Sequence, residues 1–152
     1  MIPNDVKRAA LVAGAAEGAT ELNAFDGALL SAGIGDLNLV RVTSIMPPQV
    51  ELVEAPPRLP KGAFVLVVYS SRTSSVPGEV LAAAVAVGRS RDGFGVVMEA
   101  QGCSRDEAVA EARAKVEEAF RMRGLELSEL RVAAAEHRVE RCGGVVAACL
   151  FF

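Results

Sequence analysis

The chain has 152 residues, 51% of them hydrophobic and 5% aromatic, which predicts one domain over residues 1–152 with a sizeable core. The net charge of −3, from 16 basic and 19 acidic residues, offers no basic surface to nucleic acid or an anionic membrane. No apolar run approaches the ~20 residues of a membrane-spanning helix. The N-terminal stretch "MIPNDVKRAALVAGAAEG" lacks the pattern of an export signal, so we expect a cytoplasmic protein.

The first predicted helix follows a short strand and a glycine-punctuated loop. Asn23 is a suitable N-cap for the stretch "AFDGALLSA", whose spacing places Phe25, Leu29 and Leu30 on one face. Gly33 is a natural C-terminal stop. These signals predict an amphipathic helix between Asn23 and Gly33.

Residues 37–45 alternate as a single strand, which places Asn38 and Ser44 on the same face. The following segment 47–61 holds five of the seven prolines. Prolines at this density favour a loop, with room for one short extended piece at 50–53.

Three further strands are predicted in the middle of the chain. The β-branched run 62–71 is typical of a buried strand, and 93–102 has a similar pattern. The stretch 79–90 mixes alanine, which favours helix, with valine, which favours strand. We interpret it as a strand because its neighbours are strands and it has no helix cap.

The clearest helix signal is a capping box formed by Ser104 and Glu107. Gly124 ends the helix, and an apolar stripe runs along it: Ala108, Val109, Ala112, Val116, Ala119 and Phe120. Two closing strands follow, joined by the turn "RCGG". Strands outnumber helices without regular alternation, which indicates an α+β domain.

Several kinds of site are disfavoured by the composition. The cysteines Cys103, Cys142 and Cys149 form no CxxC and have no histidine at ligand spacing, so buried reduced thiols are expected and no metal site. The single histidine, His137, lies in a strand-like stretch and is expected to be structural. "GAAEG" and "GIGD" match no phosphate-binding loop, and no lysine lies in a buried strand where it could hold pyridoxal phosphate.

Three stretches, in this order and spacing, carry a family resemblance: "LNAFDGALLSAGIG", "NLVRVTSIMPP" and "GFGVVMEAQG". Together they resemble the pyruvoyl-dependent arginine decarboxylases, from "LVAG" to the last strand. The block N-L-x-R-x-[S/T]-S-I-M-P-P is the most specific element, because no general folding requirement imposes it. One member of that family carries serine where this chain has Thr43. Taken alone, Thr43-Ser44 would be an ordinary hydroxyl pair at a strand end.

The resemblance implies self-cleavage between Thr43 and Ser44, which would give a β-chain of residues 1–43 and an α-chain of residues 44–152. Ser44 would become a covalently bound pyruvoyl group, with no metal and no pyridoxal phosphate. Only the backbone carbonyl of Thr43 reacts, so the departure from serine at that position is minor. Asn38 is implied as the donor that stabilises the oxyanion formed on this carbonyl.

The resemblance also assigns two carboxylates. Glu99 is implied as the acid that returns a proton to Cα after CO₂ leaves. Its apolar neighbours in "VVMEAQ" should raise the pKa of its carboxyl group, although a solvent-facing glutamate on a one-sided strand is the alternative. Asp26 is implied as the anion that binds the guanidinium group of L-arginine; without the resemblance it would be an ordinary residue of a first helical turn.

The family fold implied for this chain is a four-layer αββα sandwich of self-cleaved protomers. A homotrimer or a dimer of trimers is expected, with the active site between neighbouring subunits. The expected function is decarboxylation of L-arginine to agmatine. A non-processed structural or regulatory homologue and a pyruvoyl decarboxylase of another amino acid stay open as alternatives. A serine hydrolase using intact Ser44 is disfavoured because GxSxG is absent and His137 would be its only base.

Overall fold

The computed structural model describes residues 5–152. Residues 1–4, the start of the N-terminal stretch that lacks an export signal, lie outside the described residues. Two helices are present: α1 (Glu21–Ser31) and α2 (Arg105–Met122). The strands are β1 (Arg8–Glu17), β2 (Asn38–Arg41), β3 (Ile45–Met46), β4 (Glu51–Val53), β5 (Phe64–Ser74), β6 (Val80–Arg89), β7 (Gly95–Gly102), β8 (Glu129–Arg138) and β9 (Gly143–Phe151). None of the helices within residues 5–152 has the length and apolar character needed to cross a membrane.

The strands form two sheets. The first sheet has the order β2-β5-β9-β1-β4, and its two edge pairs, β2 with β5 and β1 with β4, are parallel. The second sheet has the order β3-β7-β6-β8 and is antiparallel throughout. The central strands β6 and β9 are almost entirely buried, as their runs of alanine and valine require.

The two sheets pack face to face, and each carries one helix on its outer side. Between the sheets lies a core that includes Met46, Val85, Val97 and Val145. α1 covers the first sheet through a second core, and α2 covers the second sheet through a third. The resulting order of helix, sheet, sheet and helix confirms the α+β class and agrees with the expected αββα sandwich.

The first helix begins earlier than the sequence predicts. The N-cap is Thr20, whose Oγ1 accepts a hydrogen bond from the Asn23 amide at 3.1 Å, so the prediction of Asn23 as N-cap is wrong. Leu29 is buried, but Leu30 is 55% exposed and does not share its face. The helix gives way at Ala32 to Gly33, whose φ of 83° is the left-handed conformation predicted for the stop.

The second helix follows its prediction closely. The Ser104 hydroxyl accepts a hydrogen bond from the Glu107 amide at 3.1 Å, as the capping box requires. Val109 of the predicted stripe is only partly buried. The other five members are buried against the second sheet: Ala108, Ala112, Val116, Ala119 and Phe120. Gly124 adopts a φ of 62° just beyond the helix.

The predicted strand 37–45 is wrong in one respect: it is not continuous. β2 ends at Arg41, and β3 begins at Ile45 in the other sheet. The alternation of the sequence persists across the break because extended residues at a crossing alternate as strand residues do. The remaining strand predictions, including the ambiguous 79–90 and the short piece within 50–53, are confirmed.

The cysteines are free, but only one of them is buried. Cys149 lies in the core between the sheets, where burial raises the pKa of its thiol to about 12. Cys103 is exposed and Cys142 is half-buried. The expectation of three buried thiols is therefore wrong for two of them, which lie at the ends of strands and not within them.

Candidate active site

The crossing between the two sheets is held by backbone hydrogen bonds on both sides of Thr43-Ser44. Upstream, the Val42 amide donates to the Val67 carbonyl of β5 at 2.9 Å. Downstream, the Ser44 carbonyl accepts a hydrogen bond from the Val97 amide of β7 at 2.7 Å. The bond between Thr43 and Ser44 thus bridges two segments that are anchored in different sheets.

The peptide unit at the centre of the crossing lacks such anchors. Within residues 5–152, neither the Thr43 carbonyl nor the Ser44 amide takes part in a backbone hydrogen bond. Thr43 is exposed and Ser44 is half-buried. A nucleophile can therefore reach the Thr43 carbonyl without displacing a backbone partner.

The segment after Ser44 is fixed to the second sheet. Ile45 pairs with Val96, and Met46 pairs with Gly95. The Met46 side chain is fully buried in the core between the sheets. This burial anchors the short strand β3 although it contributes only two residues to the sheet.

Glu99 lies on the same strand as the amide that holds the Ser44 carbonyl. It follows Val97 by two residues, about 7 Å along β7, and its side chain leaves the same face of the strand. Val97 packs in the core between the sheets, whereas Glu99 lines an open depression together with Arg41, Tyr69 and Lys115. The pairing of β3 with β7 thus places Ser44 opposite Val97, two residues before Glu99 on the neighbouring strand.

The surroundings of Glu99 combine burial with positive charge. Burial raises the pKa of its carboxyl group, and the charges of Arg41 and Lys115 partly offset this rise. The pKa rise predicted from the apolar neighbours of Glu99 is therefore confirmed in direction. A proton on this carboxyl group persists to a higher pH than on an exposed glutamate.

Arg41 and Lys115 are held in place by contacts of their own. The Arg41 guanidinium lies 4.1 Å from the centre of the Tyr69 ring and donates to the Tyr69 carbonyl at 2.7 Å. Lys115 Nζ donates to the Glu99 carbonyl at 2.9 Å and pairs with Glu111 at 3.2 Å. Neither cation is predicted from the sequence. Lys115 reaches Glu99 only through the packing of α2 on β7, and Arg41 and Glu99 lie in different sheets.

Asn38 does not lie beside Ser44. The strand that was expected to align them ends at Arg41, and Asn38 pairs with Phe64 on β5, about 13 Å before the Val42 anchor. Its side-chain amide donates to the Gly62 carbonyl at 2.9 Å. The alternation places Asn38 on the inner side of the first sheet with Val42, as predicted, but six extended residues keep its side chain apart from Ser44.

Asp26 also lies apart from Ser44. It is exposed on α1, which covers the outer side of the first sheet, whereas the Ser44 carbonyl is bound to the second sheet. With Thr20 as the cap, Asp26 falls in the second turn of α1 and not in the first. The helix N-terminus is therefore too far from Asp26 to stabilise its charge, contrary to the prediction.

His137 is remote from Ser44. It pairs with Leu81 on β6, at a position about 20 Å along the second sheet from Val97, and it is separated from β7 by β6. Its Nε2 lies 2.5 Å from the Glu17 carboxylate. A hydrogen bond from the Arg141 amide and the contact with His137 lower the pKa of Glu17 to about 2. His137 is thus paired with Glu17, far from Ser44, and is not available to activate the Ser44 hydroxyl.

Known proteins resemble this chain over almost its full length. The family described as "Pyruvoyl-dependent arginine decarboxylase (PvlArgDC)" matches residues 8–152. A "Pyruvoyl-dependent arginine decarboxylase" of Methanocaldococcus jannaschii is 48% identical, with 97% of this chain and 88% of that protein aligned. Proteins of the same name from Methanothermobacter thermautotrophicus and Pyrococcus horikoshii are 45% and 43% identical, with 96% of this chain covered in both and 97% and 95% of theirs.

Proposed function

Because the chain belongs to the pyruvoyl-dependent arginine decarboxylase family, we propose that it converts L-arginine to agmatine and CO₂. The observation that carries this function is the juxtaposition of Ser44 with a half-buried acid. Ser44 follows an unanchored peptide bond and lies opposite Val97, and Glu99 follows Val97 by two residues. The first feature suits self-cleavage, and the second suits the return of a proton to a reaction product.

Self-cleavage would divide the chain into residues 1–43 and 44–152. Ser44 Oγ adds to the Thr43 carbonyl carbon, and the acyl group moves from nitrogen to oxygen to form an ester. Loss of the Ser44 Cα proton then expels the Thr43 carboxylate and leaves dehydroalanine at position 44. Addition of water and release of ammonia complete the conversion of this residue to a pyruvoyl group.

The surroundings of Ser44 fit this conversion. Ser44 must lose its nitrogen and its hydroxyl in this conversion. Its amide makes no backbone hydrogen bond to any of residues 5–152, so the loss of the nitrogen breaks none. Its carbonyl, which the conversion keeps, is the atom that the Val97 amide binds. The pyruvoyl group supplies a ketone that condenses with the substrate amine and accepts electrons as CO₂ leaves.

Glu99 would supply the proton that Cα receives after CO₂ is lost. A general acid must be protonated at the working pH and must lie near the reacting carbon. Burial raises the pKa of Glu99 and so favours the first condition. Its position about 7 Å along β7 from Val97 favours the second, since the glutamate side chain can span much of that distance.

The remaining assignments need more than one protomer. Asp26 lies on the opposite side of the first sheet from the Ser44 anchor, so we assign it to the pyruvoyl group of a neighbouring subunit. The side-chain amide of Asn38 would likewise act on the Thr43 carbonyl of a neighbouring subunit. Within one chain, β2 ends at Arg41 and the Asn38 side chain lies apart from the Thr43 carbonyl. A site shared in this way requires an oligomer, which we take to be a homotrimer or a dimer of trimers.

An exposed apolar surface supports this assembly. Phe64 on β5 is 80% exposed, beside Val40, Leu66 and Phe151 on the uncovered part of the first sheet. A second copy that covers these side chains would remove apolar area from water. The cytoplasmic location expected from the sequence stays a prediction.

Substrate choice tests the proposed function. The parent protein should release CO₂ from arginine and form agmatine. Asp26→Asn keeps the shape of the side chain but removes the charge that faces the guanidinium. Loss of one partner of a desolvated charge pair costs about 2–5 kcal/mol, so kcat/KM for arginine should fall accordingly. The preference for arginine over citrulline, which has a neutral urea end, should largely disappear.

The control for this experiment is Asp106→Asn, an exposed aspartate in the first turn of α2 on the other side of the molecule. It should leave both the activity and the preference unchanged. Both variants should still be cleaved at residue 43, because neither carboxylate takes part in the acyl shift. An Asp26→Asn protein that discriminates as well as the parent would place the guanidinium on another carboxylate; Asp36, Glu51 and Glu54 are the next candidates.

A further inference from the structure

The guanidinium of Arg89 is surrounded by backbone carbonyls from two other segments. At the end of β6, Nη2 donates to the Val50 carbonyl at 2.6 Å and to the Gly93 carbonyl at 2.7 Å, with a longer contact of 3.3 Å to the Pro48 carbonyl. Nε donates to the Gly93 carbonyl at 3.0 Å. Within residues 5–152 no carboxylate pairs with Arg89, so its donors serve the backbone.

The turn between β6 and β7 is shaped for a close approach of the 47–50 segment. Gly93 has a φ of 93°, which residues with a side chain rarely adopt. A Cβ at this position would lie 2.3 Å from the Pro48 carbonyl oxygen. The Asp92 carboxylate accepts hydrogen bonds from the Ser90 hydroxyl at 2.5 Å and the Phe94 amide at 3.0 Å, which fixes the turn.

The segment that Arg89 holds comes directly after the residues that react. Pro48 follows Ser44 by four residues, and the intervening β3 contributes only two residues to the second sheet. In the intact chain, Ser44 is also held from upstream through Val42. Cleavage would remove that tether and make residue 44 a chain end, and chain ends fray unless they are tied down.

We propose that Arg89 is a positioning residue that holds the backbone of residues 48–50 and thereby keeps residue 44 opposite Val97, within reach of Glu99. This inference rests on the proposed function, because it concerns residue 44 after cleavage. In this role Arg89 acts through the backbone of residues 48–50 and not through contact with the substrate. Its contribution is larger to turnover than to self-cleavage, since the upstream tether is still present when the chain cleaves itself.

The test compares Arg89→Met, which keeps the apolar stem, with Arg138→Met as a matched control. Arg138 is an arginine at the end of β8 whose Nη1 donates to one turn carbonyl, that of Gly78, at 3.1 Å. Displacement of a reacting group by about 1 Å can cost about 10²-fold in rate, so kcat of the fully cleaved Arg89→Met protein should fall by about 10–100-fold. KM should change little, because the substrate-binding groups are untouched.

A second readout is independent of activity. Hydrogen–deuterium exchange of the cleaved Arg89→Met protein should accelerate at residues 45–51, while α2 and β9 keep the parent's protection. Arg89→Lys retains a charge and three N–H donors but not the planar fork, so both effects should be intermediate. Arg138→Met should match the parent in kcat and in the exchange of residues 45–51.

The outcomes separate this inference from the function on which it rests. If the parent protein is cleaved and active but both Arg89 variants keep the parent's kcat, the positioning role is overturned. It is also overturned if both variants fail to fold, or if KM changes and kcat does not. A parent protein that remains uncleaved or does not decarboxylate arginine contradicts the proposed function instead, before any variant is compared.

Discussion

Ser44→Ala is expected to abolish both self-cleavage and arginine decarboxylation while leaving the fold intact. Alanine has no hydroxyl to attack the Thr43 carbonyl, so no ester forms and no pyruvoyl group can follow. The Ser44 contact that holds the crossing is made by the carbonyl, not by the side chain. The uncleaved variant should therefore unfold at no lower a temperature than the cleaved parent. Denaturing gels, a CO₂-release assay and a thermal melt measure the three expectations.

Changes at the neighbouring residue are the control. Thr43→Ser keeps the hydroxyl of residue 43 and removes its methyl group, and Thr43→Ala removes the hydroxyl. Both should cleave, because only the backbone carbonyl of residue 43 reacts. Two chains produced by Ser44→Ala would show that the nucleophile is not the Ser44 hydroxyl. No cleavage in Thr43→Ser would show that the side chain of residue 43 takes part as well as its carbonyl.

Glu99→Gln is expected to separate cleavage from turnover. The variant should be cleaved as the parent is, because Glu99 has no part in the acyl shift. Decarboxylation should fall by about 10²–10⁴-fold, as is typical for loss of a general acid. Steady-state kinetics on the cleaved protein, with cleavage checked on the same sample, measure the two effects.

The pH dependence follows from the direction of the pKa shift. Burial raises the pKa of Glu99, so the acid form that donates the proton is present at low pH and is lost as the pH rises through this raised pKa. The parent's kcat should therefore decline on the alkaline side of that value. Glu99→Gln has no such titration and should lack this limb of the profile.

Glu111→Gln is the matched control for Glu99→Gln. Glu111 lines the same depression and pairs with Lys115, but it is exposed on α2. Its loss should leave turnover within a few-fold of the parent's. Near-normal turnover in Glu99→Gln would place the proton donor elsewhere.

The elements that the sequence predicts well are those specified by local patterns. α2 carries its cap, its stripe and its stop within one continuous segment, so Ser104 and Gly124 mark its limits without tertiary information. The valine-rich β5 and β7 are likewise recognisable as buried strands. α1 is less well marked, because Thr20 and Asn23 are both acceptable caps and the helix uses the earlier one.

The site is only partly visible in the sequence. The raised pKa of Glu99 is predictable from its apolar neighbours, because burial of a strand is a local property. The break between Arg41 and Ile45 is not, since a chain that passes from one sheet to another keeps the alternation of a strand. The contacts of Lys115 with Glu99 and of Arg89 with Val50 join residues far apart in sequence, and no spacing rule predicts them.

Mass spectrometry of the purified, denatured protein tests the central claim most directly. Cleavage of a 15.9 kDa chain after residue 43 of 152 should give fragments of about 4.5 kDa and 11.4 kDa. The larger fragment should begin with a pyruvoyl group in place of Ser44. Its mass should be that of residues 44–152 with a free N-terminus, less the mass of one ammonia. A single species of 15.9 kDa that persists after long incubation would contradict the account and favour a non-processed homologue.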